Sequence, residues 1–125
     1  MIGNSLFQQM SQDIGSGGPV ILMVTADGEC APCEQAKPIF ESAQVVMGDD
    51  AKFYSFKASE LDPSFLRARG VRSAPTVMMF SFGLESHRLS GNEVQMLGPE
   101  VTRFIENHFS ENTGVSDDFE CEACQ

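Results

Sequence analysis

Four cysteines stand in this sequence, in two pairs of identical spacing: Cys30-Ala31-Pro32-Cys33 and Cys121-Glu122-Ala123-Cys124. A Cys-x-x-Cys pair supports three chemistries: half of a tetrahedral zinc site, a structural disulfide, or a dithiol that cycles between open and bridged forms. Zinc sites of this type place about 15 to 20 residues between their pairs. Here 87 residues intervene, and neither His87 nor His108 lies near a pair. No metal site is therefore expected. Permanent disulfides suit oxidising compartments. The opening residues, Met1 to Ser5, hold no basic residue and lead into no apolar signal core, so the chain is expected in the reducing cytoplasm. A redox dithiol is the favoured reading of Cys30 and Cys33.

Such a cysteine must be held as a thiolate, and the neighbouring sequence provides for it. Pro19 to Ala26 (PVILMVTA) is a short, β-rich apolar run that predicts a buried strand. A loop, Asp27-Gly28-Glu29, follows. From Pro32 onward a helix is predicted, with Ile39, Ala43 and Val46–Met47 on its apolar face. Pro32 suits the first turn, which puts Cys30 at the helix cap. Unpaired N–H groups and the helix dipole stabilise a thiolate there.

Further strands are expected at Ala51–Phe56, Thr76–Phe80 and Leu84–Leu89, the last two forming a hairpin through Gly83. Asp62 caps a short helix with Pro63 at its first position. A last helix, Glu100–Phe109, should turn Val101, Phe104, Ile105 and Phe109 inward, while both histidines are expected on the surface.

At 125 residues, 42% apolar and 21% charged, the chain is long enough for one domain with a proper core. No apolar run approaches the roughly 18 residues of a membrane span. Eighteen acids against eight bases give a net charge of −10, which argues against nucleic acid as a partner. Residues 110–125 contain five acids and no base. A folded domain over residues 1–109 and a flexible acidic tail over 110–125 are expected.

Over residues 4–109 the chain resembles the thioredoxin family. The resemblance rests on Cys30-Ala31-Pro32-Cys33, on Pro38 five residues beyond, on Gly70-Val71-Arg72-Ser73-Ala74-Pro75-Thr76, and on Gly91. It implies an α/β thioredoxin-like fold with a mixed central sheet flanked by helices. The first family strand is so reduced here that four strands are expected. It also implies that Pro75 is cis and faces the cysteines, that Pro38 kinks the active-site helix, and that Gly91 lines the substrate groove. Cys30 and Cys33 would be catalytic, with Glu29, Ala31, Pro32, Ala74, Pro75 and Gly91 as the substrate-binding rim. The implied activity is electron transfer to protein disulfides, without a cofactor, by a monomer recharged by a thioredoxin-reductase-type donor.

Three departures stand out. Glu29 replaces the family's tryptophan before the first cysteine and should disfavour a thiolate beside it. The family's buried acid falls on Val24. Its partner lysine falls on Phe56, with Lys57 one position away. Loss of the acid leaves Cys33 without the usual proton acceptor, so resolution of a mixed disulfide would need water or a nearby carboxylate such as Asp27. A thioredoxin-fold binding subunit, docking a partner through the Cys30/Pro75 face without turnover, is therefore the alternative. Cys121 and Cys124 are a possible second redox pair on the tail.

Overall fold

The computed structural model describes residues 2–113, and their side chains over 6–110. Its elements are α1 (Ile2–Gly15), β1 (Val20–Thr25), α2 (Ala31–Met47), β2 (Lys52–Lys57), α3 (Pro63–Ala68), β3 (Thr76–Ser81), β4 (Leu84–Ser90) and α4 (Leu97–Thr113). Short 3₁₀ turns span Ala58–Glu60 and Gly91–Met96. The strands form one mixed sheet in the order β2-β1-β3-β4. Strand β1 runs parallel to β2 and antiparallel to β3, and β3 runs antiparallel to β4. The expected four-stranded mixed sheet is present. Among the described residues the element before β1 is a helix, not a strand.

All six residues of β1 are buried because helices cover both faces of the sheet. Ile21 and Met23 join Val77, Met79 and Leu89 against Ala36, Phe40 and Ala43 of α2 and Val101, Phe104 and Ile105 of α4. Val20, Leu22 and Val24 join Phe56, Met78 and Phe80 against Met10 and Ile14 of α1 and Leu61. The period-two alternation of one apolar run therefore fills two separate cores.

Two helix faces differ from expectation. In α2 the buried residues are Cys33, Ala36, Phe40 and Ala43, and Ile39 and Met47 are partly buried, whereas Val46 is 76% exposed. In α4, Val101, Phe104, Ile105 and His108 follow helical spacing inward, while Phe109 falls beside the stripe and is 41% exposed. His108 is thus a core residue rather than a surface one. Its Nδ1 lies 2.7 Å from Ser81 Oγ, and its ring stacks on Phe82 at 4.5 Å. Helix α4 also continues through residues 110–113, which sequence reading placed in the tail. Residues 114–125, with Cys121 and Cys124, lie outside the described part.

The β3–β4 turn uses Phe82 (φ 54°) and Gly83 (φ 85°). Glycine was expected there because both central positions of such a turn need a left-handed backbone. Phenylalanine carries a cost of about 1–2 kcal/mol in that region, offset here by its stack on His108.

Candidate active site

Cys30 precedes α2 with an extended backbone (φ −156°, ψ 95°), and its Sγ accepts the Cys33 N–H at 3.1 Å. It is the N-cap that the sequence places there. Pro32 occupies the first turn, where its missing N–H costs nothing. Cys30 and Cys33 form a disulfide, with their Cα atoms 5.2 Å apart. The two sulfurs are not equivalent. Cys33 is 2% exposed, and its Sγ faces the Ala26 N–H at 3.5 Å. Cys30 is only partly buried, so Cys30 is the sulfur an incoming thiol or disulfide meets. On reduction, the Cys33 N–H that now points at Cys30 Sγ and the positive end of α2 would favour its thiolate.

The Ala74–Pro75 peptide is cis, as the resemblance implied. Val24 pairs with Thr76 in the antiparallel β1–β3 ladder. That pair ends the ladder, with Ala74–Pro75 immediately before it on the β3 side and Thr25 after it on the β1 side. Gly91 has a left-handed backbone (φ 57°), and its N–H donates to the Pro75 carbonyl at 2.9 Å. Pro32 and Gly91 line one small cleft. Glu29, Ala31 and Pro32 are exposed, Ala74 is half-buried and Pro75 is buried. Pro32, Gly91 and Pro75 are thus linked by one cleft and one hydrogen bond.

Gln35, Asn92 and Gln95 also line that cleft and were missed from sequence. Asn92 and Gln95 lie on the Gly91–Met96 turn, which has no apolar run to announce it. A usable signal was Ser90-x-x-Glu93, a capping box in which Glu93 Oε1 accepts the Ser90 N–H at 2.9 Å.

At the two positions where the resemblance puts the family's buried acid and lysine, the structure is apolar. Val24 and Phe56 are cross-strand neighbours, 1% and 2% exposed. Lys57 is exposed, so Phe56 rather than Lys57 occupies the buried position. Asp27 does not turn towards Cys33; its Oδ1 accepts the Ser59 N–H at 3.1 Å. Among the described residues no carboxylate is hydrogen-bonded to either cysteine. An open groove of about 520 Å³ lies elsewhere, between β4 and α4, lined by Ser81, Phe82, His87, Glu100, Arg103 and His108.

No protein-family model matches the chain, and no curated protein matches it in sequence. Solved structures do. A thioredoxin of Malassezia sympodialis superposes with a TM-score of 0.65 at 24% identity, over 82% of this chain and 84% of that one. Thioredoxin O2 from Arabidopsis thaliana, in its oxidised state, gives 0.68 at 20% identity over 81% and 87%. A thioredoxin from Nicotiana alata gives 0.68 at 19% over 80% and 84%. With its four-stranded mixed sheet, cis-proline and disulfide-forming Cys-x-x-Cys at the head of α2, this chain has the thioredoxin fold.

Proposed function

We propose that this protein is a thiol–disulfide oxidoreductase that reduces disulfides in other proteins through Cys30 and Cys33. The observation that carries the reading is the asymmetric disulfide at the α2 N-terminus, partly exposed at Cys30 and buried at Cys33, beside a cis-proline edge. In the reduced protein the Cys30 thiolate attacks one sulfur of a substrate disulfide. That bond breaks, the leaving sulfur takes up a proton, and a mixed disulfide forms. Cys33 then loses its proton and attacks Cys30 Sγ, releasing the second substrate thiol. Two electrons pass to the substrate, and Cys30–Cys33 returns to the disulfide. A thioredoxin-reductase-type donor restores the dithiol. The shallow rim, with its small residues Ala31, Ala74 and Gly91, suits an extended protein chain laid along Ala74 as an added strand. On this reading a single copy works in a reducing, cytoplasmic compartment. Cys30→Ser abolishes reduction of insulin disulfides, and Cys33→Ser accumulates a mixed disulfide that added dithiol releases. Full turnover by Cys30→Ser refutes the proposal.

The apolar Val24–Phe56 pair favours a second reading, a docking subunit without turnover, because that role needs no proton acceptor. Equal partner affinity and cellular function in the Cys30→Ser/Cys33→Ser double variant would decide for it.

A further inference from the structure

Strand β4 carries one irregularity. Met79 pairs with His87 and Phe80 with Glu85, so Ser86 is an extra residue in a β-bulge. In an unbroken strand, residues three apart face opposite sides of the sheet. The bulge turns Glu85 to the side of Arg88, and the two form a bidentate pair. Arg88 Nε donates to Glu85 Oε2 at 2.6 Å, and Nη2 donates to Oε1 at 2.8 Å. The side chains are only 28% and 21% exposed. Arg88 also reaches the loop between α3 and β3, where Nη2 donates to the Arg69 carbonyl at 2.7 Å and Nη1 to the Gly70 carbonyl at 3.5 Å, and Nη2 lies 3.6 Å from Met78 Sδ.

That loop ends at Ala74–Pro75. It is anchored again by Val71 N–H to the Leu66 carbonyl at 3.0 Å and by Thr76 Oγ1 to the Ser73 carbonyl at 2.7 Å. Without Arg88, the Arg69 and Gly70 carbonyls lose these partners at a glycine whose backbone is left-handed (φ 66°), a residue with more conformational freedom than any other.

We propose that Glu85 and Arg88 are a positioning pair that sets the Ala74–Pro75 edge against Cys30 and so governs the grip on a protein substrate. The inference rests on the redox reading above. Neither residue touches the cysteines, whose cap belongs to α2 alone. The pair therefore acts on binding of an extended chain and leaves the intrinsic reactivity of Cys30 untouched.

The test compares wild type, Arg88→Gln, Arg88→Lys and Glu85→Gln on insulin and on iodoacetamide, which alkylates reduced Cys30 without needing the Ala74 edge. Arg88→Gln should raise KM for insulin about tenfold, the scale of one lost charge-assisted hydrogen bond. Its kcat and alkylation rate should stay within about twofold of wild type. Arg88→Lys keeps the charge but not the planar fork and should not rescue KM. Glu85→Gln should be intermediate, and it carries the test if Arg88→Gln fails to fold. An unchanged KM, or a fall in alkylation that parallels the rise in KM, overturns the pair's role alone. A wild-type protein inactive on insulin refutes the redox reading and this proposal with it.

Discussion

Placing a carboxylate where the resemblance puts the family's buried acid, with Val24→Asp, tests whether the interior there is as dry as the structure describes. Val24 is 1% exposed and its cross-strand neighbour Phe56 is 2% exposed, so the new acid would have no cation beside it. Burial of that kind raises a carboxyl pKa by about 3 units or more. From an unfolded value near 3.9, the folded value would approach about 7. A raised folded pKa means that the native state holds a proton which the unfolded chain has released. The charge-related cost is therefore absent below about pH 4 and grows by about 1.4 kcal/mol per pH unit. It levels off above about pH 7 near 4 kcal/mol, comparable to much of a small domain's total stability. Urea unfolding of Val24→Asp and wild type at intervals from pH 5 to 8 reads this directly. The gap between their midpoints should widen steadily to about pH 7 and then hold. A gap that stays constant across the range would show that water or a cation reaches position 24, and the account of an apolar floor would be wrong. Val24→Asp/Phe56→Lys should remove much of the pH dependence, because the pair then compensates itself. Under the redox reading, Cys33 should resolve mixed disulfides faster in that double variant.

Ser81→Ala removes the only hydrogen-bond partner described for His108 and should cost about 1–3 kcal/mol, with Ser81→Thr milder; equal urea midpoints for wild type and Ser81→Ala would refute the role given to this contact. Burial, and then the bond to Asp13, push the Tyr54 hydroxyl well above its ordinary value of 10. The folded state then keeps a proton that the unfolded state sheds, so this contribution is whole below pH 10 and drains away above it. The stability advantage of wild type over Tyr54→Phe should be flat to about pH 9 and shrink beyond pH 10, and a parallel pair of curves would rule it out. Cys121 and Cys124 should exchange disulfide with Cys30, within one molecule or between two. In Cys33→Ser protein, Cys30–Cys121 or Cys30–Cys124 linkages should appear when disulfides are mapped by mass spectrometry; the absence of both would refute this.

The parts legible in sequence were those with local causes. Cys30, Pro32 and Asp62 announced helix starts because capping is decided within one turn, and the short, β-rich apolar run from Pro19 to Ala26 read as a buried strand. Gly83 marked a turn that required a left-handed backbone. The misreadings had tertiary causes. His108 and Phe109 are neighbours on α4, and hydropathy alone favours burying the phenylalanine. Register along the helix put the histidine inward, where Ser81 and Phe82 could receive it. Val46 looked like core for the same reason and fell outside the stripe set by Cys33, Ala36, Phe40 and Ala43. The bulge at Ser86 left no local mark, since it shows only when β4 is laid against β3. The turn carrying Asn92 and Gln95 was hidden by its polarity, though its capping box was there to be read.

Among the described residues no strand pairs with the outer side of β2, which stands at the margin of the sheet, and this bears on how the folded protein behaves among its own kind. Such a margin is a template on which any extended segment can crystallise. Lys52 and Lys57 stand exposed at its two ends. A growing stack would bring their like charges together at the roughly 4.8 Å strand repeat. In a chain with a net charge of −10, these two positive sites act as local gatekeepers against fibrillar growth. Acetylation would remove these two charges and leave the margin open to edge-to-edge pairing.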